Sequence, residues 1–184
     1  MNFKFNSSQK LSLLAIEKGL YTWQELVIYI QQLPYARNKN RHDLSLVLLE
    51  QKGTCSSKHA FLKAIADENN RSNIQLILGM YKMTSNNTNI GTVLDENKLS
   101  YIPEAHCYLK IDDERVDITS ENADFDKITH DIITEISIQP HQISIFKVDY
   151  HQNFIKKWIT ELEIQYSFDE IWDIREQCIA FLSQ

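Results

Sequence analysis

The chain contains little glycine, proline or cysteine, and these shortages exclude several classes of protein. Four glycines and three prolines in 184 residues leave few chain breaks, which predicts extensive regular structure. Three cysteines, an odd number, do not make a disulfide framework, so we expect reduced thiols and a cytoplasmic protein. No apolar run reaches the ~18 residues of a membrane span, and residues 1–10 contain no apolar secretory segment.

An excess of basic residues is also missing. The net charge is −6, whereas a nucleic-acid partner requires clustered Lys and Arg to neutralise phosphates, so no such partner is expected. Hydrophobic residues at 43% and charged residues at 24% are typical of a soluble globular protein. The length suits a single domain spanning residues 1–184. No cofactor fingerprint is present, so no cofactor is expected.

Helical periodicity fills the first half of the chain, and alternation of apolar and polar residues fills much of the second. Thr22 and Glu25 form a capping box that begins a helix, and Pro34 ends it. A later helix begins at Cys55, just after Gly53. Strands are predicted at residues 74–79, 105–111, 114–119, 136–138 and 143–148, with helices again after residue 153. This order predicts an α+β fold with a helical first half packed on an antiparallel sheet.

Three residues occupy contexts that suit a catalytic triad. Cys55 lies at a predicted helix start, where unpaired amides and the helix dipole favour a thiolate. His106 and Asp117 lie on two predicted strands of a hairpin. A thiol needs a base to become a nucleophile, and the base needs a third group to orient it. The alternative for Cys55 is a buried apolar cysteine, the usual environment of a free Cys.

The hairpin can be tested by its register. A two-residue turn at residues 112–113 makes His106 and Asp117 diagonal neighbours on one face, at a Cβ separation of roughly 7 Å. Cys107 points to the opposite, apolar face, and Cys178 lies on the apolar stripe of the last helix, so both are interpreted as core. The alternative is a hairpin with one solvated face, on which His106 and Asp117 are merely exposed.

The chain order Cys, His, Asp resembles the transglutaminase-like superfamily, a branch of the papain-fold cysteine enzymes. The resemblance covers residues 44–119 and depends on three motifs, Gly53-Thr54-Cys55, His106-Cys107-Tyr108 and Asp117-Ile118-Thr119. Where the family has Pro this chain has Ile118, and where papain-like proteases have Gln it has Leu49. The resemblance implies a papain/transglutaminase-like core, C-terminal helices outside it, and a Cys-His-Asp triad that forms a thioester.

The implied reaction is acyl transfer from a peptide or another amide or ester substrate. The acceptor is left open: water would make the protein a peptidase, amidase or deamidase, and an amine would make it a transferase. Related folds supply a side-chain donor to the oxyanion from upstream of the Cys. The candidates are Tyr35, Asn38 and Asn40, in a polar loop at residues 35–41 that is otherwise an ordinary solvated connection.

Two other functions fit the sequence. A non-catalytic binding module could retain the same fold. A metal site could combine Cys55, His59, His106 and Cys107, because Cys-x3-His on a helix has usable spacing. Neighbours on a strand face opposite ways, however, so His106 and Cys107 do not easily share one ion, and we expect no metal. His59 could instead assist the thiolate or hold local polar groups.

Overall fold

The computed structural model describes residues 1–182 and has an α+β architecture, as the sequence predicts. Its sheet has four antiparallel strands in the order β3-β2-β1-β4. The strand bounds are Ile74–Met83 for β1, Ile102–Ile111 for β2, Glu114–Val116 for β3 and Ile132–Ile138 for β4. β1 lies inside the sheet and pairs with both β2 and β4.

Eight helices lie within the described residues. Their bounds are Lys10–Glu17 for α1, Trp23–Gln32 for α2, Leu46–Leu49 for α3, Cys55–Glu68 for α4, Val93–Glu96 for α5, Asp126–Thr129 for α6, Ile145–Glu161 for α7 and Phe168–Phe181 for α8. The predicted capping box at Thr22 and Glu25 is present at the start of α2. None of these helices combines the length and apolar character needed to cross a bilayer.

Helix α4 packs on one face of the sheet and forms the larger core with it. Phe61 and Leu62 of α4 are fully buried there, together with Leu78 of β1 and Leu109 of β2. A second core on the opposite face joins Met83 and other sheet residues to α7 and α8. The sheet is therefore the middle layer, with α4 on one side and the C-terminal helices on the other.

The β2–β3 hairpin has the predicted register and turn. Ile111 pairs with Glu114, and Asp112 and Asp113 have positive φ angles of 49° and 69°. Two successive positive φ values are the mark of a two-residue type I′ turn, in which Asp is tolerated. β3 ends at Val116, earlier than the predicted 119, so the ladder stops at Leu109 and β2 has no β3 partner before it.

The predicted strand at residues 143–148 is wrong. A 3₁₀ turn covers Pro140–Ile143, and α7 follows from Ile145. Apolar residues at 143, 145, 146 and 148 fit both strand and helix spacing over so short a window. The rest of α7 decides between them, because Ile155 and Trp158 continue a buried helical stripe in the same element.

Candidate active site

The start of α4 is fixed by the two residues before Cys55. The Thr54 side chain accepts a hydrogen bond from the Ser57 N–H, and Ser57 Oγ accepts one from the Thr54 N–H, which completes a capping box. A Cβ at position 53 would lie 2.9 Å from both Lys58 Cγ and Ser57 Oγ, so only glycine fits without displacement. This packing sets Cys55 as the first residue of the helix.

Cys55 reaches across the open edge of β2. Because β3 pairs only with Leu109–Ile111, the stretch of β2 around His106 has no strand on that side within the described residues. His106 and the backbone of Cys107, both at this edge, lower the pKa of the Cys55 thiol. A helix packed on the apolar face of the sheet can therefore bring its thiol to a histidine on the other face.

His106 is positioned by a carboxylate and an aromatic ring. Its Nε2–H donates to Asp117 Oδ2 at 2.8 Å, and its ring stacks on Tyr108 with centroids 5.9 Å apart. With Nε2 committed to Asp117, Nδ1 is the ring nitrogen left for the Cys55 thiol. His106 is near enough to Cys55 for the charge of each group to shift the pKa of the other. The structure thus joins His106 to Asp117 by a hydrogen bond and places Cys55 near His106.

Asp117 lies just beyond β3 in a backbone turn that orients its carboxylate. Its Oδ1 accepts the N–H of Thr119 at 2.9 Å, which leaves Oδ2 directed at His106. Burial raises the pKa of Asp117, but the charge and hydrogen bond of His106 outweigh it and hold that pKa well below the usual range. The carboxylate is therefore ionised at neutral pH and can stabilise an imidazolium.

Electrostatics favour a thiolate–imidazolium pair. Burial raises the pKa of the Cys55 thiol, but the nearby charges of His106 and Lys147 lower it to about 6. Burial lowers the pKa of His106, but the charges of Asp117 and Cys55 hold it well above the usual range. At neutral pH Cys55 therefore carries a negative charge and His106 a positive one.

The other two cysteines lack this environment. Cys107 and Cys178 are both fully buried, as the sequence predicts. Burial raises the pKa of the Cys107 thiol, and it raises the pKa of Cys178 to about 11. Both thiols therefore stay protonated and weakly reactive at neutral pH.

His59 has a structural role beside the triad. Its Nδ1–H donates to the carbonyl oxygen of Cys55 at 2.7 Å, and its Nε2 accepts the N–H of Ile118 at 2.7 Å. Both ring nitrogens are thus used by the backbone, which joins α4 to the segment that carries Asp117. Burial lowers the pKa of His59 to about 4, so the ring is neutral at pH 7.

Lys58 makes a second connection that the sequence did not indicate. Its side chain is fully buried, and its ammonium donates to the carbonyl oxygens of Leu33 at 2.5 Å and Thr119 at 2.6 Å. Burial lowers the pKa of Lys58 to about 8. Lysines on helices usually lie in solvent, and no sequence pattern marks Lys58 as a buried one.

Acid is expected to destabilise the fold through His59. Its pKa is about 4 in the folded chain and near the ordinary 6.5 when unfolded, so between these values the unfolded chain binds more protons. Stability therefore falls as pH drops from about 6.5 to 4, by about 3 kcal/mol for this residue. Urea unfolding across this range should show a smaller loss for His59→Gln than for the native chain.

The exposed His42 gives the matched control, since His42→Gln should keep the native slope. His151 also has a pKa lowered by burial to about 4, so some acid sensitivity remains in His59→Gln. Equal slopes in the native chain and His59→Gln would show that His59 is not held neutral by the fold.

A cavity of about 390 Å³ opens beside Cys55. It lies between the loop at residues 35–41, the start of α4, and helices α7 and α8. Tyr35 and Asn38 line it, whereas Asn40 lies outside its lining. This volume falls within the range of small-molecule sites in proteins.

Of the three predicted oxyanion donors, Tyr35 is the one whose position fits. An isolated parallel β-bridge between Tyr35 and Gly53 holds Tyr35 beside the start of α4. In this bridge the Gly53 N–H donates a hydrogen bond to the carbonyl oxygen of Pro34. The Asn38 amide already donates to the carbonyls of Leu46 and Lys52, and to the carboxylate of Glu50. Asn38 is thus a structural residue of the loop.

Asn40 accepts the N–H of His42 at 2.9 Å in a local turn and does not reach the cleft. Leu49, at the position of the papain-type Gln, is 56% exposed and also lies outside the cleft lining. Burial raises the pKa of the Tyr35 hydroxyl well above its usual range, so it remains protonated and able to donate.

The wall of the cleft contains a buried ion pair that sequence reasoning missed. Glu104 accepts from Arg175 Nε at 2.7 Å and from Arg175 Nη2 at 2.6 Å, and both residues are buried. Glu104 precedes His106 by two residues and so shares its face of β2. The one available signal was a carboxylate in a strand of mostly apolar residues.

The structure does not assemble the alternative metal site. His59 uses both ring nitrogens on backbone groups, and His106 uses Nε2 on Asp117. Within residues 1–182, no group of three or more His, Cys, Asp or Glu side chains is arranged to hold a metal ion.

Comparisons with protein-family models, with curated proteins and with solved structures found no match to this chain. The function is therefore inferred from the geometry of the cleft. Fold by itself does not establish function, whereas a nucleophile, a base and an orienting group in contact support a specific chemistry.

Proposed function

We propose that the protein is a cytoplasmic, cysteine-dependent acyl-transfer enzyme with a papain/transglutaminase-like core and C-terminal helices. The observation that carries the proposal is the position of Cys55, which begins α4 and lines a cavity of about 390 Å³. The nearby charge of His106 lowers the pKa of this thiol to about 6. Asp117 supports this arrangement because it holds His106 by a 2.8 Å hydrogen bond. The substrate class is a peptide or another amide or ester.

The first half-reaction follows from the charges of the pair. The Cys55 thiolate attacks the carbonyl carbon, and the carbonyl π electrons move to the oxygen. The His106 imidazolium gives its proton to the departing amine or alcohol as the C–N or C–O bond breaks. A thioester on Cys55 remains, and neutral His106 keeps its hydrogen bond to Asp117.

The second half-reaction returns the enzyme to its first state. Water or an amine attacks the thioester while His106 accepts its proton, and the thiolate of Cys55 leaves. The Tyr35 hydroxyl and the unpaired amides at the start of α4 would donate hydrogen bonds to the tetrahedral oxyanions.

Acylation of a single cysteine is the expected result when the native protein meets p-nitrophenyl acetate at pH 7. The thiolate of Cys55 is the reactive nucleophile, whereas the two core thiols are protonated. Peptide mass mapping should locate the acetyl group on Cys55 and leave Cys107 and Cys178 unmodified. Cys178→Ala provides the matched control and should be acylated like the native chain.

The fate of the thioester separates the functions within this class. Loss of the acetyl group as acetate in buffer alone indicates a hydrolase. Loss of the acetyl group only on addition of a primary amine, as the N-substituted acetamide, indicates a transferase. Absence of any adduct on Cys55, with the fold intact by circular dichroism, would contradict the proposal. The binding module would then be the better interpretation.

A further inference from the structure

The cleft beside Cys55 is cationic, although the whole chain carries a net charge of −6. Its lining includes four cationic side chains and two carboxylates, which are Arg37, Arg41, Lys147 and Arg175, and Glu104 and Glu176. The excess of positive charge is therefore local to the cavity and is not a property of the surface as a whole. Such a local field concentrates anions.

Both carboxylates are already neutralised by two of these cations. Arg175 binds Glu104 with two nitrogens, at 2.7 and 2.6 Å, and also contacts Glu176 at 2.5 Å. Arg37 contacts the same Glu176 at 2.8 Å. These four residues form one chain of ion pairs that links the loop at residues 35–41 to α8 and β2.

The other two cations of the cleft are not part of this chain of ion pairs. Lys147 and Arg41 make no ion pair with any residue among 1–182. Lys147 projects from the first turn of α7, is partly buried, and its charge acts on both Cys55 and Glu104. Arg41 is exposed at the end of the loop and lines the same cavity.

A partly buried ammonium loses hydration that only a nearby anion compensates fully. The Cys55 thiolate supplies part of that compensation in the resting protein. When Cys55 becomes acylated it loses its charge, so Lys147 then faces the cavity without the thiolate, and the remaining nearby carboxylate, Glu104, is already paired with Arg175. A substrate that brings its own anion would restore the balance during the acyl-enzyme stage.

We propose that the cleft recognises a carboxylate carried by the acyl donor, with Lys147 as the principal contact and Arg41 at the mouth. The proposal rests on the proposed function, because the donor is the substrate that acylates Cys55. A cavity of about 390 Å³ has room for a small acidic acyl group. The Arg41 guanidinium can bind a carboxylate through two parallel hydrogen bonds.

Two alkylating reagents of nearly equal size test this proposal. Iodoacetate and iodoacetamide both alkylate a thiolate: a C–S bond forms, the C–I bond breaks and iodide leaves. Iodoacetate carries a carboxylate next to the reacting carbon, and iodoacetamide carries a neutral amide. The ratio of their rates at Cys55 therefore reports anion recognition, while the iodoacetamide rate alone reports thiolate reactivity.

Replacement of Lys147 by methionine should lower the iodoacetate-to-iodoacetamide ratio about fivefold, and Lys147→Arg should restore it. Arg41→Met should lower the ratio in the same direction by a smaller factor. Lys157→Met is the matched control, because Lys157 lies on the same helix, is exposed and is absent from the cavity lining. Its ratio should equal that of the native chain.

The outcomes separate this proposal from the proposed function. If Lys147→Met slows both reagents equally, Lys147 only stabilises the thiolate and carboxylate recognition is wrong. If iodoacetamide fails to label Cys55 in the native chain, the proposed function itself fails. Rapid iodoacetamide labelling with an unchanged ratio in Lys147→Met supports the nucleophile and overturns the carboxylate site.

Discussion

Replacement of His106 by glutamine is expected to slow alkylation of Cys55 by iodoacetamide at least about tenfold at pH 6. The thiol pKa is about 6 in the native chain and should rise at least to the free-cysteine value of ~8.5 without the imidazolium. The thiolate fraction at pH 6 then falls roughly 150-fold. A more basic thiolate is more nucleophilic and recovers roughly tenfold of that loss.

The pH profile makes this result specific. Above about pH 9.5 both proteins are largely thiolate, so the rate of His106→Gln should equal or exceed the native rate. Damage to the fold would instead slow the reaction at every pH. The alkylation rate of Asp117→Asn at pH 6 should lie between those of the native chain and His106→Gln, since an amide stabilises the imidazolium less than a carboxylate does. A profile for His106→Gln that matches the native one would remove His106 from the triad.

Replacement of Arg175 by methionine is expected to cost about 3–5 kcal/mol of unfolding free energy. Glu104 is buried, and its pKa is about 2 because Arg175 outweighs the effect of burial. Without the guanidinium, a carboxylate would remain in the protein interior with no cation to neutralise it. The midpoint of urea unfolding at pH 8, compared with the native midpoint, measures the loss.

The double variant Glu104→Gln/Arg175→Met is the informative control. It removes both charges, so it should be more stable than Arg175→Met by a kcal/mol or more, although it contains one more substitution. The deficit of Arg175→Met should also shrink as pH falls, because burial raises the pKa of an unpaired Glu104 and lets it take up a proton. A double variant less stable than Arg175→Met would show that the pair is not the source of the loss.

Local signals in the sequence predicted local structure well. The capping box at Thr22, the helix start at Cys55 and the tight turn after Ile111 each depend on residues within a few positions of one another. The turn reverses the chain so that Asp117, just beyond the end of β3, returns to His106, and the two form a 2.8 Å hydrogen bond. The helix starts, the hairpin and this contact follow from such short-range patterns, whereas the proximity of Cys55 to His106 was expected from the family resemblance.

Long-range partners could not be predicted. Arg175 reaches Glu104 across 71 positions, and Lys58 reaches Thr119 across 61. The sequence does not show that a lysine or arginine in a helix will be buried, since both usually lie in solvent. The strand expected at residues 143–148 failed for a related reason, because a window of six residues does not show the helical stripe that continues to Trp158.

Different parts of the sequence supply the proposed triad and most of the cavity lining. The proposed reacting groups all lie between Cys55 and Asp117, whereas most of the cavity lining comes from residues 35–41 and from helices α7 and α8. Substitutions in this lining would therefore change which molecule the cavity accepts and leave Cys55, His106 and Asp117 unaltered. A change of substrate on this scaffold would then require no change in the proposed reaction.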